Sequence, residues 1–385
     1  MYKRWMGLLL AVALVFLCAV PARGAGPEIP APSAILMDVA TGTILYQKNA
    51  DERLPPASVT KVMTLLLVME ALDKGRIGWD DMVIASETAA AKGGSQVYLK
   101  EGEQMTMDEM LKAVVVSSAN DCATALAEHI AGSESAFVEM MNQRAAELGM
   151  KDTHFVNCTG LDDDPAAAEH LTTAHDIALM SRELLHHEAI KKYTTIWMDT
   201  VRNGQFGLSN TNKLVRFYDG TTGLKTGYTS GAGHCLSASA QRDGIELVAV
   251  VLHCANSAER FQSAKALLDY GFANYALISP EAPEALPQVS VRLGHQSAVQ
   301  AELQASAPIL IEKGVQASVV KTVNLLPQVD APVAQGQELG TMTVEAQGKV
   351  LAEIPIVAAQ SVEKLSWWNV VVRILRSLCM APEES

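Results

Sequence analysis

The sequence predicts an α+β protein: an antiparallel sheet with a helical cluster, then a small all-β domain and a C-terminal amphipathic helix. Three observations point there. Strand-like alternation stands at both ends of residues 26–278, and helical periodicity fills the middle. Short β-like runs separated by Gly, Pro and Gln-Gly turns occupy residues 285–360. Residues 361–385 carry a helix with a single polar stripe.

The elements follow in order. In "MYKRWMGLLLAVALVFLCAVPARGAG", Lys3 and Arg4 precede an apolar run from Leu8 to Val20 and small residues at Ala22–Ala25. That is the layout of a secretory signal peptide over residues 1–25. The run is short for a membrane span, and Leu17 stands where a lipoprotein signal ending at Cys18 needs a small residue. "SAILMDVATGTILYQK", residues 33–48, alternates on each side of Thr41-Gly42 and predicts a β-hairpin. "PPASVTKVMTLLLVMEAL", residues 55–72, predicts a helix that is apolar almost all round, with Lys61 in its first turn. Helical patterns continue through "MDEMLKAVVVSSANDCATALAEHIAG", "SESAFVEMMNQRAAELGM" and "TTAHDIALMSRELLHH". Strands return after Gly223 as far as His253, and "AERFQSAKALLDYGFANY" predicts a closing helix. The Met-rich stretch among these helices reads as core packing.

"SPEAPEALP", residues 279–287, is a linker, and six β-like runs lie beyond it. In "LSWWNVVVRILRSLCM", Ser366, Asn369, Arg373 and Arg376 form one stripe on a helix that is otherwise apolar except for Ser377. Sixteen residues reach only about 24 Å. An in-plane anchor at a membrane surface, with Trp367 and Trp368 at the interface, fits better than a span. A helix packed on the protein's own surface is the other reading.

The chain has 385 residues, enough for two domains, and 49% hydrophobic against 19% charged residues supports a sizeable core. A net charge of −13 argues against nucleic acid as a partner. Five cysteines follow the signal segment: Cys122, Cys158, Cys235, Cys254 and Cys379. Cys235 and Cys254 flank a predicted hairpin turning near Asp243-Gly244, which makes Cys122 with Cys158 the complementary pair. Four cysteines allow three connectivities, and free buried thiols are the alternative.

Ser58 and Lys61 stand at i and i+3 and share a helix face. A lysine beside a hydroxyl acts as its base once desolvation or a second cation lowers the lysine pKa. The helix N-terminus adds a positive dipole end near Ser58. Four residues alone are a weak signal, since "SVEK", residues 361–364, matches too. The order strengthens it. Ser118-Ala119-Asn120 opens a helix about 60 residues on, and Lys225-Thr226-Gly227 begins a strand about 107 further. Gly227 would let a ligand backbone approach that strand closely.

With these three motifs the chain resembles the serine-type D-alanyl-D-alanine carboxypeptidases, the low-molecular-mass penicillin-binding proteins. The likeness extends to "LPPASVTKVMT", "VVSSANDCATALAEHIAGS", "FVNCTGLDD" and "TGLKTGYTSGAGHCL". It implies a β-lactamase/transpeptidase-like catalytic domain at 26–278, a small β-sandwich domain at 285–360 and a membrane anchor at 361–385. It implies Ser58 as acylated nucleophile, Lys61 as its base and Ser118 as the carrier of the proton to the leaving amine. Asn120 would hold the substrate peptide group, and Lys225, Thr226 and Gly227 the terminal carboxylate, supported by Arg260. The backbone N–H groups of Ser58 and Tyr228 would form the oxyanion hole. The implied substrates are peptidoglycan stem peptides ending in D-Ala-D-Ala. β-Lactams would be covalent inhibitors, no metal or cofactor would be needed, and the work would take place on the extracytoplasmic face of the membrane. Two departures stand out: Ala119 where relatives often carry glycine, and Cys158 where proline is common.

Three rival readings are weaker. A β-lactamase needs a deacylating carboxylate in a Glu-x-x-Leu-Asn stretch, and "GLDDDPAAAEHLTTAHD" has Glu169 without that stretch. A catalytically silent wall-binding protein would not need all three motifs intact. A metal hydrolase would draw on His170, His175, His186 and His187, but their spacings do not make a helical ligand pair, so they read as surface histidines.

Overall fold

The computed structural model describes residues 26–163, 165–282 and 284–379. The signal segment at 1–25 lies outside them, as do 380–385 of the tail.

The main sheet has β1 (Ser33–Asp38) and β2 (Ile44–Lys48) as the predicted hairpin. Two small ribbons follow, β3 (Met82–Ile84) with β4 (Gln104–Thr106) and β5 (Met198–Val201) with β6 (Phe206–Ser209). Then β7 (Thr221–Thr229), β8 (Gly233–Arg242) and β9 (Ile245–Cys254) complete the main sheet. Its order is β2-β1-β9-β8-β7, with antiparallel neighbours throughout, so β7 is an edge strand. The β8–β9 turn falls at Asp243-Gly244, both with positive φ (49° and 81°), the backbone of a tight type I′ hairpin turn.

Alternation along the strands divides the core in two. Ile35, Met37, Val248 and Val250 face a helical cluster, while Ala34, Leu36, Leu247 and Ala249 face the opposite way. The first face packs against α1 (Lys61–Asp73), α2 (Met107–Ser117), α3 (Asn120–Ala131), α4 (Glu134–Glu147) and α5 (Ala174–His186). The second packs against Ala264, Leu267, Leu268 and Phe272 of α6 (Ser257–Asn274). Both faces being covered explains why β9 reads as an almost unbroken apolar run. The same logic applies to α1: residues from Lys61 to Leu72 are all buried, so the helix has no solvent face to make polar.

The C-terminal part has its own core around Val299, Leu339, Met342, Val344 and Ile356. It contains β10 (Tyr275–Ile278), β11 (Gln288–Arg292), β12 (Ala298–Leu303), β13 (Ile309–Glu312), β14 (Val319–Leu325), β15 (Gln328–Asp330), β16 (Glu338–Ala346) and β17 (Lys349–Ala358). Six strands form one sheet, β14-β16-β17-β12-β11-β15, and β10 pairs with β13 across the sequence linker. The three-residue β15 was too short to show a period in the sequence. The tail forms α7 (Trp367–Cys379), with Trp367 and Trp368 exposed. Among the described residues, no helix is long and apolar enough to cross a membrane.

Candidate active site

Pro56 leads into a short 3₁₀ turn, Ala57–Thr60, and α1 begins only at Lys61. The predicted helix therefore starts with a tighter turn. Its cause is local: Ala57 sits at φ 49°, a left-handed conformation an α-helix cannot contain. Two glycines make room for this turn. A Cβ on Gly227 of β7 would lie 2.6 Å from the Pro56 carbonyl oxygen and 3.1 Å from Ser58 N. A Cβ on Gly160 would lie 1.9 Å from the Ala57 carbonyl oxygen. Gly227 is thus required by the chain's own backbone. Lys225 also lies in the middle of β7, not at its start, because the strand opens at Thr221.

Lys61 Nζ lies 2.9 Å from Ser58 Oγ and donates to the Thr159 carbonyl at 2.8 Å. Burial lowers the Lys61 pKa to about 7, against smaller upward pulls from Cys158 and Asp121. Lys225 is buried too, and its pKa falls well below the ordinary lysine value. Burial is the main cause, followed by the Lys61 and Arg260 charges. Burial is thus the main cause at both lysines, and their like charges disfavour carrying both protons at once.

Ser118 and Ala119 form the break between α2 and α3. Ser118 is in the left-handed region at φ 62° and is buried. Ala119 has φ −59°, a backbone conformation that alanine adopts without strain. Asn120 donates from Nδ2 to the Gly93 carbonyl at 2.7 Å, and its Oδ1 is buried with no partner. Beside it, the buried Asp121 carboxylate accepts from the N–H groups of Val97, Leu99 and Cys122 and fixes the 97–99 loop next to Asn120.

Lys225 Nζ donates to the Thr226 carbonyl at 2.9 Å, and Thr226 Oγ1 donates to Thr211 Oγ1 at 2.7 Å. Arg260, on α6, reaches the Gly227 and Cys235 carbonyls at 3.0 and 3.2 Å, bracing β7 against β8 from behind. Tyr228 is exposed, its ring 4.4 Å from that of His234.

Several contributors had no sequence signal. The Thr159 carbonyl is one. Asn157 Oδ1 shapes its loop by accepting from the N–H groups of Thr159 and Gly160. Glu134, paired with Lys92 at 2.6 Å, accepts from the Cys158 N–H at 3.2 Å. Proline at 158 could not make that last bond, which gives the departure a use. His170 corrects the surface reading: it is buried and bonded to Thr60 Oγ1 at 2.8 Å, while His175, beside Asp176, and His186, beside Glu183, are partly exposed. Among the described residues, no group of three or more His, Cys, Asp or Glu is placed to hold a metal. Cys122, Cys158, Cys235 and Cys254 are buried free thiols, so neither inferred disulfide is formed.

A serine beside a buried lysine of lowered pKa, under an edge strand with a second buried lysine, defines a serine-type hydrolase of the penicillin-binding fold. Residues 21–256 match the family described as D-alanyl-D-alanine carboxypeptidase. Residues 281–364 match the penicillin-binding protein 5 C-terminal domain. The carboxypeptidase DacF of Bacillus subtilis is 41% identical over 90% of this chain and 89% of its own length. DacC of Escherichia coli is 34% identical over 93% and 92%. Penicillin-binding protein 5 from Haemophilus influenzae superposes with a TM-score of 0.74 at 32% identity, over 88% of this chain and 99% of that one. Penicillin-binding protein D2 from Listeria monocytogenes, solved in an ampicillin-bound form, gives 0.59 at 31% identity over 64% of this chain and 99% of that one. The chain belongs to the D-alanyl-D-alanine carboxypeptidase family.

Proposed function

We propose that this enzyme removes the terminal D-alanine from peptidoglycan stem pentapeptides through an acyl-enzyme on Ser58. The observation that carries the reading is Lys61 Nζ, fully buried, with a pKa near 7 and 2.9 Å from Ser58 Oγ. Neutral Lys61 takes the Ser58 proton as Oγ attacks the carbonyl between the two D-alanines. Ser118 passes the proton to the departing amine. The backbone N–H groups of Ser58 and Tyr228 hold the oxyanion, a role supported by the close packing of the 3₁₀ turn on β7. The unpartnered Asn120 Oδ1 suits a substrate peptide N–H. A substrate carboxylate at Lys225 and Thr226 would restore the Lys225 charge that burial disfavours. Arg260 acts from behind the strand, through the Gly227 carbonyl. Water then hydrolyses the acyl-enzyme, and β-lactams acylate the same serine. Glu169 is exposed, which gives the β-lactamase alternative no support.

The test is D-alanine release from a stem pentapeptide by the purified protein, with a penicillin adduct located by mass spectrometry. Ser58→Ala should abolish both. Undiminished release, or an adduct on another residue, would refute the assignment.

The signal segment at 1–25 and the tail at 361–385 support export and peripheral anchoring, with catalytic and β domains at 26–278 and 285–360 between them. Exposed Trp367 and Trp368 suit an interfacial helix. Liposome co-sedimentation should fall sharply when residues 361–385 are removed, and equal binding would sink the anchor.

A further inference from the structure

The left-handed Ala57 is costly for a residue with a side chain, so something must hold its peptide. A chain of three hydrogen bonds does so. The Val156 N–H donates to His170 Nδ1 at 3.2 Å. His170 Nε2 is 2.8 Å from Thr60 Oγ1, and Thr60 Oγ1 donates to the Ala57 carbonyl at 2.8 Å. We propose that His170 is a positioning residue for the nucleophile turn: held as its Nε2–H tautomer, it orients Thr60 so that the Ala57 carbonyl, and with it Ser58, stays in place. The proposal rests on the reading of Ser58 as nucleophile.

The tautomer follows from the partners. A carbonyl oxygen only accepts, so the one Thr60 hydroxyl hydrogen points to Ala57. The Thr60 oxygen is then left as acceptor, and Nε2 must carry the hydrogen. At the other end Val156 N–H is a donor, so Nδ1 must be bare. A doubly protonated ring would set an Nδ1–H against the Val156 N–H. Burial, with a smaller push from His154, the titratable group that acts on the ring, lowers the His170 pKa to about 4. The neutral ring therefore persists through the neutral range. The Phe155 ring, edge-on at 5.6 Å, packs against its face. The link joins residues 110 apart, tying the 156–171 loop to the turn before Lys61.

Glutamine and asparagine divide the two ends of the imidazole. His170→Gln can still donate to Thr60 but loses the acceptor for Val156; His170→Asn keeps the acceptor and loses the donor. Penicillin acylation rate and melting temperature are measured for both, with Thr60→Val and Thr60→Ser. His170→Asn and Thr60→Val should acylate at least about tenfold more slowly, while His170→Gln and Thr60→Ser stay within about threefold of the parent. Nitrogen-15 spectra of the unaltered protein should show a His170 ring protonated at Nε2 and not titrating between pH 5 and about 8. Two results would overturn the proposal: acylation by His170→Asn at the parental rate, or a ring protonated at Nδ1 or titrating near the ordinary histidine value. An adduct persisting in Ser58→Ala would instead fault the nucleophile assignment, so the two failures are distinguishable.

Discussion

Lys61→Met should leave the protein folded and remove nearly all acylation, a loss of about a thousandfold or more, in line with the deletion of a general base. Methionine has a similar length and no charge to desolvate. Lys61 is held near 7 in the fold and returns to the ordinary value of 10.5 when unfolded. Between those values the unfolded chain binds the extra proton, so stability falls as pH drops from 10.5 toward 7, and the full penalty is present below about 7. Removing the lysine removes that penalty, offset by the bond lost at the Thr159 carbonyl. The variant's melting temperature at pH 7 should equal or exceed the parent's. In the parent, only neutral Nζ can accept the serine proton, so the acylation rate should rise with pH through about 7 and then level off. A flat profile from pH 5 to about 9, or a Lys61→Met variant acylating within tenfold of the parent, would remove Lys61 from the role of base.

The sequence made the chemistry readable wherever the determinants were local. Ser58 and Lys61 are one turn apart, Ser118 and Asn120 flank one helix break, and Lys225, Thr226 and Gly227 share one strand. The hairpins were equally local, fixed by Gly42 and by Asp243-Gly244. What escaped lies between segments far apart in the chain. The Thr159 carbonyl meets Lys61 across 98 residues, and His170 meets Thr60 across 110. No periodicity encodes such pairs. His170 was misread for the same reason: in "AEHLTT" it looks polar and exposed, and only the fold puts Thr60 beside it. The cysteine pairs suffered the opposite error. Cys235 and Cys254 lie on neighbouring strands, but the β8–β9 register slips between His234 and Leu236, and the direct partner of Cys254 is His234. One shifted residue exchanges the faces of a strand. The low Lys61 pKa was a local inference too: burial in the mostly apolar α1 lowers it.

Gly160→Ala should be the most damaging single methyl group in the catalytic half of the molecule. Two effects combine at this position, and a control separates them. Gly160 has φ +79°, and an added Cβ would stand 1.9 Å from the Ala57 carbonyl oxygen and 2.7 Å from Thr60 Oγ1. Gly75 has a similar φ of +64°, but its Cβ would meet nothing within 4 Å. Gly75→Ala therefore reports the left-handed penalty alone, about 1–2 kcal/mol. Gly160→Ala adds a collision with backbone on a turn that is itself clamped, by Thr60 on one side and Gly227 on the other. The two nearest atoms, the Ala57 carbonyl oxygen and carbon, are backbone, so relief requires the 157–161 loop to move away. That movement takes the Thr159 carbonyl off Lys61 and disturbs Ser58 in the same step. Denaturant unfolding should show a loss above about 4 kcal/mol for Gly160→Ala, and the folded fraction should acylate at least a hundredfold more slowly. Equal destabilisation of the two variants, or normal acylation by folded Gly160→Ala, would mean that the loop and the nucleophile turn are not mechanically joined. The expected gap between them measures how firmly the 157–161 loop sets the position of Ser58.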